Sequence, residues 1–293
     1  MSRLPIEFKK GLTVRPKEIL PSGEVIFTDG TTDMRGNQVD CEAYGYTYNT
    51  ATRTCQAFPF STKVGKAITN ETNVVKGKGN TTELGTQGCF IMGENNSTKG
   101  LNRNSIISGV KNEIANNVSN VTALGVNANA TRQAQFVIGG GLNNIITSGL
   151  SVYGDRQVSI VNLSGTTEDN ATTNLTVNNE ADQYINVKNN CILGYEIYLT
   201  RLELGGSSGT KGNFSYRNEK GVVRIDNSYG MTFTVGFTRN IGKLGVNGTY
   251  AMADVSTSDV KAITIQVSDR NNVDNIWSAT VYLHELVSTN VTF

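Results

Sequence analysis

The chain has one histidine, one tryptophan, four prolines and four cysteines in 293 residues. One histidine, His284, restricts histidine-based nucleophilic or acid–base chemistry to a single position. It lies in YLHEL, an apparent strand, where a structural or exposed imidazole is the simpler reading. Cys41, Cys55, Cys89 and Cys191 form no CxxC pair and no zinc-ligand spacing, so no metal site is expected. They read as small buried apolar residues; a Cys41–Cys55 disulfide is compatible with the spacing but not fixed by it.

Charge is scarce as well. Charged residues make up 17% of the chain and the net charge is +1. That balance gives no basis for a nucleic-acid partner or an anionic membrane surface. No window holds the roughly eighteen uninterrupted apolar residues of a spanning helix, so membrane insertion is not expected. The opening MSRLPIEFKKGLTVRPKEIL has no apolar core of a secretory signal. Sequons such as those at Asn70, Asn80, Asn129 and Asn247 therefore read as a by-product of abundant Asn, Thr and Ser.

What the sequence does have is glycine, 31 residues of it, together with Asn, Ser and Thr. These side chains compete with the helical backbone for hydrogen bonds and favour turns and short strands. The glycines are periodic. The segments VVKGKGN, FIMGENN, IISGVKN, TALGVNA, VIGGGLN and SVYGDRQ align on Gly77, Gly93, Gly109, Gly125, Gly139 and Gly154, at spacings of 16, 16, 16, 14 and 15. Two or three mainly apolar residues precede each glycine. Asn80, Asn96 and Asn112 follow the first three by three residues, and Asn127, Asn143 or Gln157 lies near the others. A weaker apolar patch falls midway, at Leu84, Leu101, Ile114 and Ile146.

Such a period is too short for a helical repeat, which needs about 30 residues, but suits one coil of a β-roll. Glycine permits positive φ at the bend, and Asn tolerates it and stacks on its counterpart in the next coil. The glycine triplet Gly139–Gly141 also raises a nucleotide-binding loop. The residues after the triplet, LNNIITSGLSVYG, are β-branched and glycine-broken, a poor helix, and no Gly-Lys-Ser/Thr run occurs. No cofactor is expected.

At these residues the chain resembles the head repeat of YadA-type trimeric adhesins: ALGVNANA, followed fourteen residues later by VIGGGLNN. The pattern also occurs in fibre proteins of tailed bacteriophages. The resemblance covers about residues 70–160 and implies a left-handed parallel β-roll and a homotrimer. It does not extend to a signal, sustained heptads or a membrane anchor, so the roll and the trimer are carried over and the anchor is not.

The flanks complete the expected architecture. Residues 1–65 read as a small β-module, with Tyr44, Tyr46 and Tyr48 alternating on one face as core or as an attachment interface. Residues 66–192 are the roll of about six coils and a transition. Residues 193–293 hold short strands every eight to twelve residues, the signature of an antiparallel β-sandwich or jelly roll. The fold class expected is all-β throughout.

For function, the expectation is a non-enzymatic virion protein, a capsid-attached head fibre. Its N-terminal module would meet a capsid or tail protein, and its C-terminal domain would face outward. The alternative is a tail fibre or adhesin that recognises a host surface glycan, with Trp277, Tyr216, Tyr229 and Tyr250 as candidate stacking residues, although most aromatics of a sandwich are core and burial is the simpler reading for Trp277 as well. A glycan depolymerase would use paired carboxylates, for which Glu168 with Asp169, or Asp155, are the candidates. Adjacent acids in a polar turn are usually only solvated, and catalysis is not expected.

Overall fold

The computed structural model describes residues 8–20, 22–57, 72–83, 85–141 and 154–288. Contacts divide the chain into two compact units, Met1–Ala67 and Ile68–Phe293.

The first unit carries an antiparallel sheet of β1 (Arg15–Ile19), β2 (Val25–Thr28) and β3 (Asp33–Arg35) and a hairpin of β4 (Thr47–Asn49) and β5 (Thr54–Gln56). Between them lies α1 (Gln38–Ala43), where only strands were expected. Its start is capped locally, with the Asn37 side chain accepting the Asp40 N–H at 2.9 Å. Val25, Phe27, Cys41 and Cys55 form the core. Cys41 and Cys55 are joined as a disulfide, their Cα atoms 5.6 Å apart. Tyr44, Tyr46 and Tyr48 are half-buried around this core, Tyr44 and Tyr46 edge-on to Phe27 at 6.0 and 6.4 Å.

In the second unit, long and short strands alternate along the glycine repeat. The long ones are β6 (Val74–Lys78), β8 (Phe90–Glu94), β10 (Ile106–Val110), β12 (Thr122–Val126) and β14 (Phe136–Gly140). The short ones are β7 (Thr81–Thr82), β9 (Ser97–Thr98), β11 (Glu113–Ile114) and β13 (Asn129–Ala130). Each set stacks parallel, giving a β-solenoid of about four turns. Ile91, Ile107, Ala123 and Val137 from the long strands meet Ile114 and Ala130 from the short ones in a dry interior.

The long strands are in register, so Gly77, Gly93, Gly109, Gly125 and Gly139 form one column. The requirement for glycine is steric. A Cβ on Gly93 would stand 2.0 Å from the Gly109 carbonyl oxygen, and φ there is +108°. The asparagines form a second column. Asn80 Oδ1 accepts the Asn96 N–H at 2.9 Å, Asn96 Oδ1 accepts that of Asn112 at 3.0 Å, and Asn112 Oδ1 accepts that of Ala128 at 2.8 Å. Each Nδ2 donates across to the glycine carbonyl of the following coil, at 2.9, 2.9 and 3.0 Å. The amide of Asn80, read above as part of a sequon, is thus engaged in the roll.

Among the described residues the column ends at Gly139. Gly154 lies outside the glycine column, in a turn with φ +71°. The next strand, β15 (Arg156–Thr167), pairs antiparallel with β14, Gly139 opposite Gln157. Gln157, expected in an Asn place, instead reaches back with Oε1 to the Asn129 N–H at 2.8 Å and caps the last turn. Leu84, Ile146, Asn70 and Asn143 lie outside the described residues.

Beyond β15 come β16 (Thr173–Asn174), β17 (Thr176–Val177), β18 (Ile185–Asn186), β19 (Cys191–Gly205), β20 (Phe214–Ile225), β21 (Met231–Leu244), β22 (Thr249–Asp254), β23 (Ala262–Ser268) and β24 (Asp274–Val287). β20 is longer than the short strands expected and has two register shifts against β21. A single eleven-stranded sheet runs in the order β21-β20-β19-β24-β15-β14-β12-β10-β8-β6, with β17 added on β15. It joins the antiparallel half to the parallel roll without interruption. A four-stranded sheet of β16, β18, β22 and β23 covers the inner face of the antiparallel half. Leu163, Leu193, Ile197, Ile265, Trp277 and Val281 fill the space between, making the expected β-sandwich.

Candidate functional site

Strand alternation sends one set of side chains into the cores and the other onto the outer face of the eleven-stranded sheet. In a monomeric protein that outer set is mostly polar. Here large apolar side chains recur on it in both halves of the sheet, with polar and charged ones between them. On the roll it presents Phe90, Met92, Ile106, Phe136 and Ile138, all more than a third exposed. The antiparallel half continues it with Val158, Tyr282, Leu286, Ile276, Leu202 and Phe214. Exposed patches on monomers rarely exceed a few hundred Å². Eleven large side chains at about two-fifths exposure give on the order of 800 Å², the scale one partner buries in a specific interface.

Two features give the face local shape. Where β14, β15 and β24 meet, a groove of about 500 Å³ is lined by Ile138, Arg156, Val158, His284 and Leu286. Arg156 closes one side by donating to the Gly140 carbonyl, Nε at 3.0 Å. Further along, Tyr198 stacks on Tyr216 (centroids 6.2 Å) and meets Tyr282 edge-on at 6.0 Å, an aromatic strip across three adjacent strands. Tyr198 Oη donates to Glu196 at 2.6 Å, and Lys220 Nζ lies 3.0 Å from the same carboxylate. The hydrogen bond raises the Tyr198 phenol and, with Lys220, lowers the Glu196 carboxyl from their ordinary values.

A separate, polar cavity of about 340 Å³ opens between the loops of the last roll turns and the segment before β18. Asn116, Asn117, Thr131, Gln133, Gln183 and Tyr184 line it, with Arg132 at its base. Arg132 is buried and neutralised by Glu285, which also accepts from Gln157 Nε2 at 2.6 Å. The cavity therefore offers amides, a hydroxyl and one aromatic ring, with its cation already paired.

The candidate residues from the sequence scatter. Trp277 is 1% exposed, and its indole N–H donates to Thr167 Oγ1 at 3.0 Å, so it has no face left for a sugar. Tyr229 and Tyr250 are half-buried against the same core, Tyr250 beneath Arg217 at 5.1 Å. Tyr216 alone reaches the outer face, together with Tyr198 and Tyr282, which the sequence reading missed. His284 is exposed at the groove, as one of the two readings had it. Glu168 and Asp169 are exposed, and Asp169 accepts the Ala171 N–H at 2.8 Å as an ordinary turn. Asp155 is buried.

The buried carboxylates Glu203 and Asp269 were also missed. They surround Arg201, which is fully buried and lies 5.9 Å from the Trp277 ring, and Arg270 pairs with both. Every member is thus paired, as a charge in a sandwich core must be. Among the described residues, no group of three or more His, Cys, Asp or Glu side chains could hold a metal ion.

No protein-family model matches the chain, and no curated protein matches it. Among solved structures it is similar to three phage tailspike proteins. The tailspike of Acinetobacter baumannii phage AM24 aligns at 9% identity and a TM-score of 0.24, over 75% of this chain and 49% of that one. The tailspike of Acinetobacter phage vB_ApiP_P1 aligns at 8% and 0.17, over 74% and 49%. The tailspike gp49 of A. baumannii bacteriophage Fri1 aligns at 13% and 0.23, over 71% and 37%. The chain thus spans half the length of these proteins or less, and at these scores the likeness assigns it no family and no activity. One expectation is corrected all the same. The Fri1 protein is named as a capsular polysaccharide depolymerase, so the reading of this chain as non-enzymatic is withdrawn.

Proposed function

We propose that the chain is a surface fibre of a phage virion, assembled as a homotrimer, with the β-roll as a rigid spacer. The observation that carries this is the set of exposed large apolar side chains on the outer face, spread from the roll into the sandwich on one unbroken sheet. A surface of that size and polarity is stable in water when covered by protein. The YadA-like repeat supports the same reading, since that pattern implies three chains around one axis. The N-terminal module, with its disulfide and half-buried tyrosines, is the attachment end, and the head is the attachment site proposed. Immunogold labelling of purified particles tests this: label on the capsid surface is expected. Label on the tail moves the site, and unlabelled particles with the protein only in lysate overturn the proposal.

The polar cavity beside Tyr184 favours a second reading, a receptor-binding fibre for a host glycan. Neutral amides and an aromatic ring suit an uncharged saccharide, which offers hydroxyls to the amides and apolar C–H faces to the ring. Titrating the full chain with host-derived oligosaccharides tests it. Saturable binding lost in Tyr184→Ala supports this reading; no binding at millimolar sugar excludes it.

A further inference from the structure

Strand β21 breaks the rule that its neighbours obey. β19 and β24 alternate strictly between buried and outward residues. β21 is exposed along almost its whole length, and from Val235 to Asn240 without a break. Phe237 and Leu244 pair with Lys220 and Phe214 and lie on the outer face, 45% and 57% exposed. Val235 pairs with Gly221 and lies on the opposite side, 55% exposed, because the four-stranded sheet does not reach it. Ile241, at a register shift, is 49% exposed, and Val246 just beyond is 53% exposed. β21 is also the last strand of the sheet, and among the described residues no strand pairs with its far edge. A long edge strand that exposes large apolar side chains on both faces is a site that proteins normally cover.

We infer that the far half of β21, Val235–Leu244, is a clasp that packs onto the outer sheet face of a second copy of this chain. This rests on the trimer proposed above and says how the copies hold one another. Two observations select a second copy as the occupant. The clasp needs an apolar partner surface, and the chain itself carries one, larger than the clasp, on the roll side of the same sheet. The areas match as well, since Phe237, Ile241 and Leu244, about half exposed, add on the order of 300 Å² to what the outer face offers each copy. Clasp and face are different surfaces, so the contact is heterologous, and in the proposed trimer its rotation is the one that closes a ring of three.

The test uses the full chain and two readouts. Light scattering compares wild type with Phe237→Arg/Ile241→Arg, with far-ultraviolet circular dichroism confirming the fold. The wild type is expected as an oligomer and the double variant as a monomer, its apparent dissociation constant raised at least about 100-fold. A variant that keeps the wild-type mass overturns the clasp and leaves the trimer standing. A monomeric wild type overturns both. Amide hydrogen exchange of the wild type needs no variant: protection over residues 235–244 should rise with protein concentration. Fast exchange there at every concentration, in an oligomeric sample, overturns the clasp alone.

Discussion

Asn112 Oδ1 accepts the N–H of Ala128, sixteen residues further along, at 2.8 Å, and this is the last rung of the asparagine column. Ala128 has no amide to pass the pattern on, and the next spacing contracts from 16 to 14. Asn112 is fully buried, and its Nδ2 also donates to the Gly125 carbonyl at 3.0 Å. Asn112→Ala leaves the Ala128 N–H and the Gly125 carbonyl without this partner. The expected loss is about 2–4 kcal/mol in urea-induced unfolding. Asn80→Ala, at the more open end of the column, should cost less.

The glycine column sets a second prediction. A Cβ on Gly109 would lie 2.0 Å from the Gly125 carbonyl oxygen, at φ +129°. Gly109→Ala should therefore cost at least about 3 kcal/mol and lower Tm clearly. Gly212→Ala is the control. Its φ is also positive, +89°, but a Cβ there meets nothing within 4 Å, so only about 1 kcal/mol of backbone strain is expected.

Trp277 supports the core. Trp277→Ala should cost about 3–5 kcal/mol of stability, read by thermal unfolding. Trp277→Phe keeps most of the packing, loses the bond to Thr167, and should cost about 1–2 kcal/mol. Neither should change the affinity of folded protein for any saccharide it binds.

The cysteines should divide in two. Reduction opens the 14-residue loop between Cys41 and Cys55 and should destabilise the first unit by about 3 kcal/mol, leaving the roll's melting transition in place. Cys89 and Cys191 are buried free thiols. Desolvation raises both thiols, Cys191 to about 12, so the thiolate is scarce at neutral pH. In native protein at pH 8 neither should react with an aromatic disulfide reagent within minutes, and both should react in denaturant.

The roll was legible in the sequence because its constraint is local: glycine every sixteen residues, where a neighbouring carbonyl occupies the Cβ position. Gly154 kept the spacing without the register, because an antiparallel strand can follow a glycine turn as readily as another coil can. The helix at Gln38–Ala43 is too short to show a period, and only Asn37 with Asp40 marks its start. For Trp277 the core reading holds, and the alternation Trp277, Ala279, Val281, Leu283 is the signal that places it on the buried side. The outer face was in view as apolar residues on both sides of each glycine-bearing strand, such as Phe90 and Met92 around Ile91. A strand apolar on both sides is a strand covered on both sides. Tyr198, Tyr216 and Tyr282 come together through pairings of long sequence separation, which no local pattern encodes.

The central claim is that the outer face of the sheet is covered by further copies of the chain. Multi-angle light scattering of the purified full chain at micromolar concentration tests it most directly. The account predicts a mass three times that of one chain. A mass of one chain, unchanged on concentration, would contradict it.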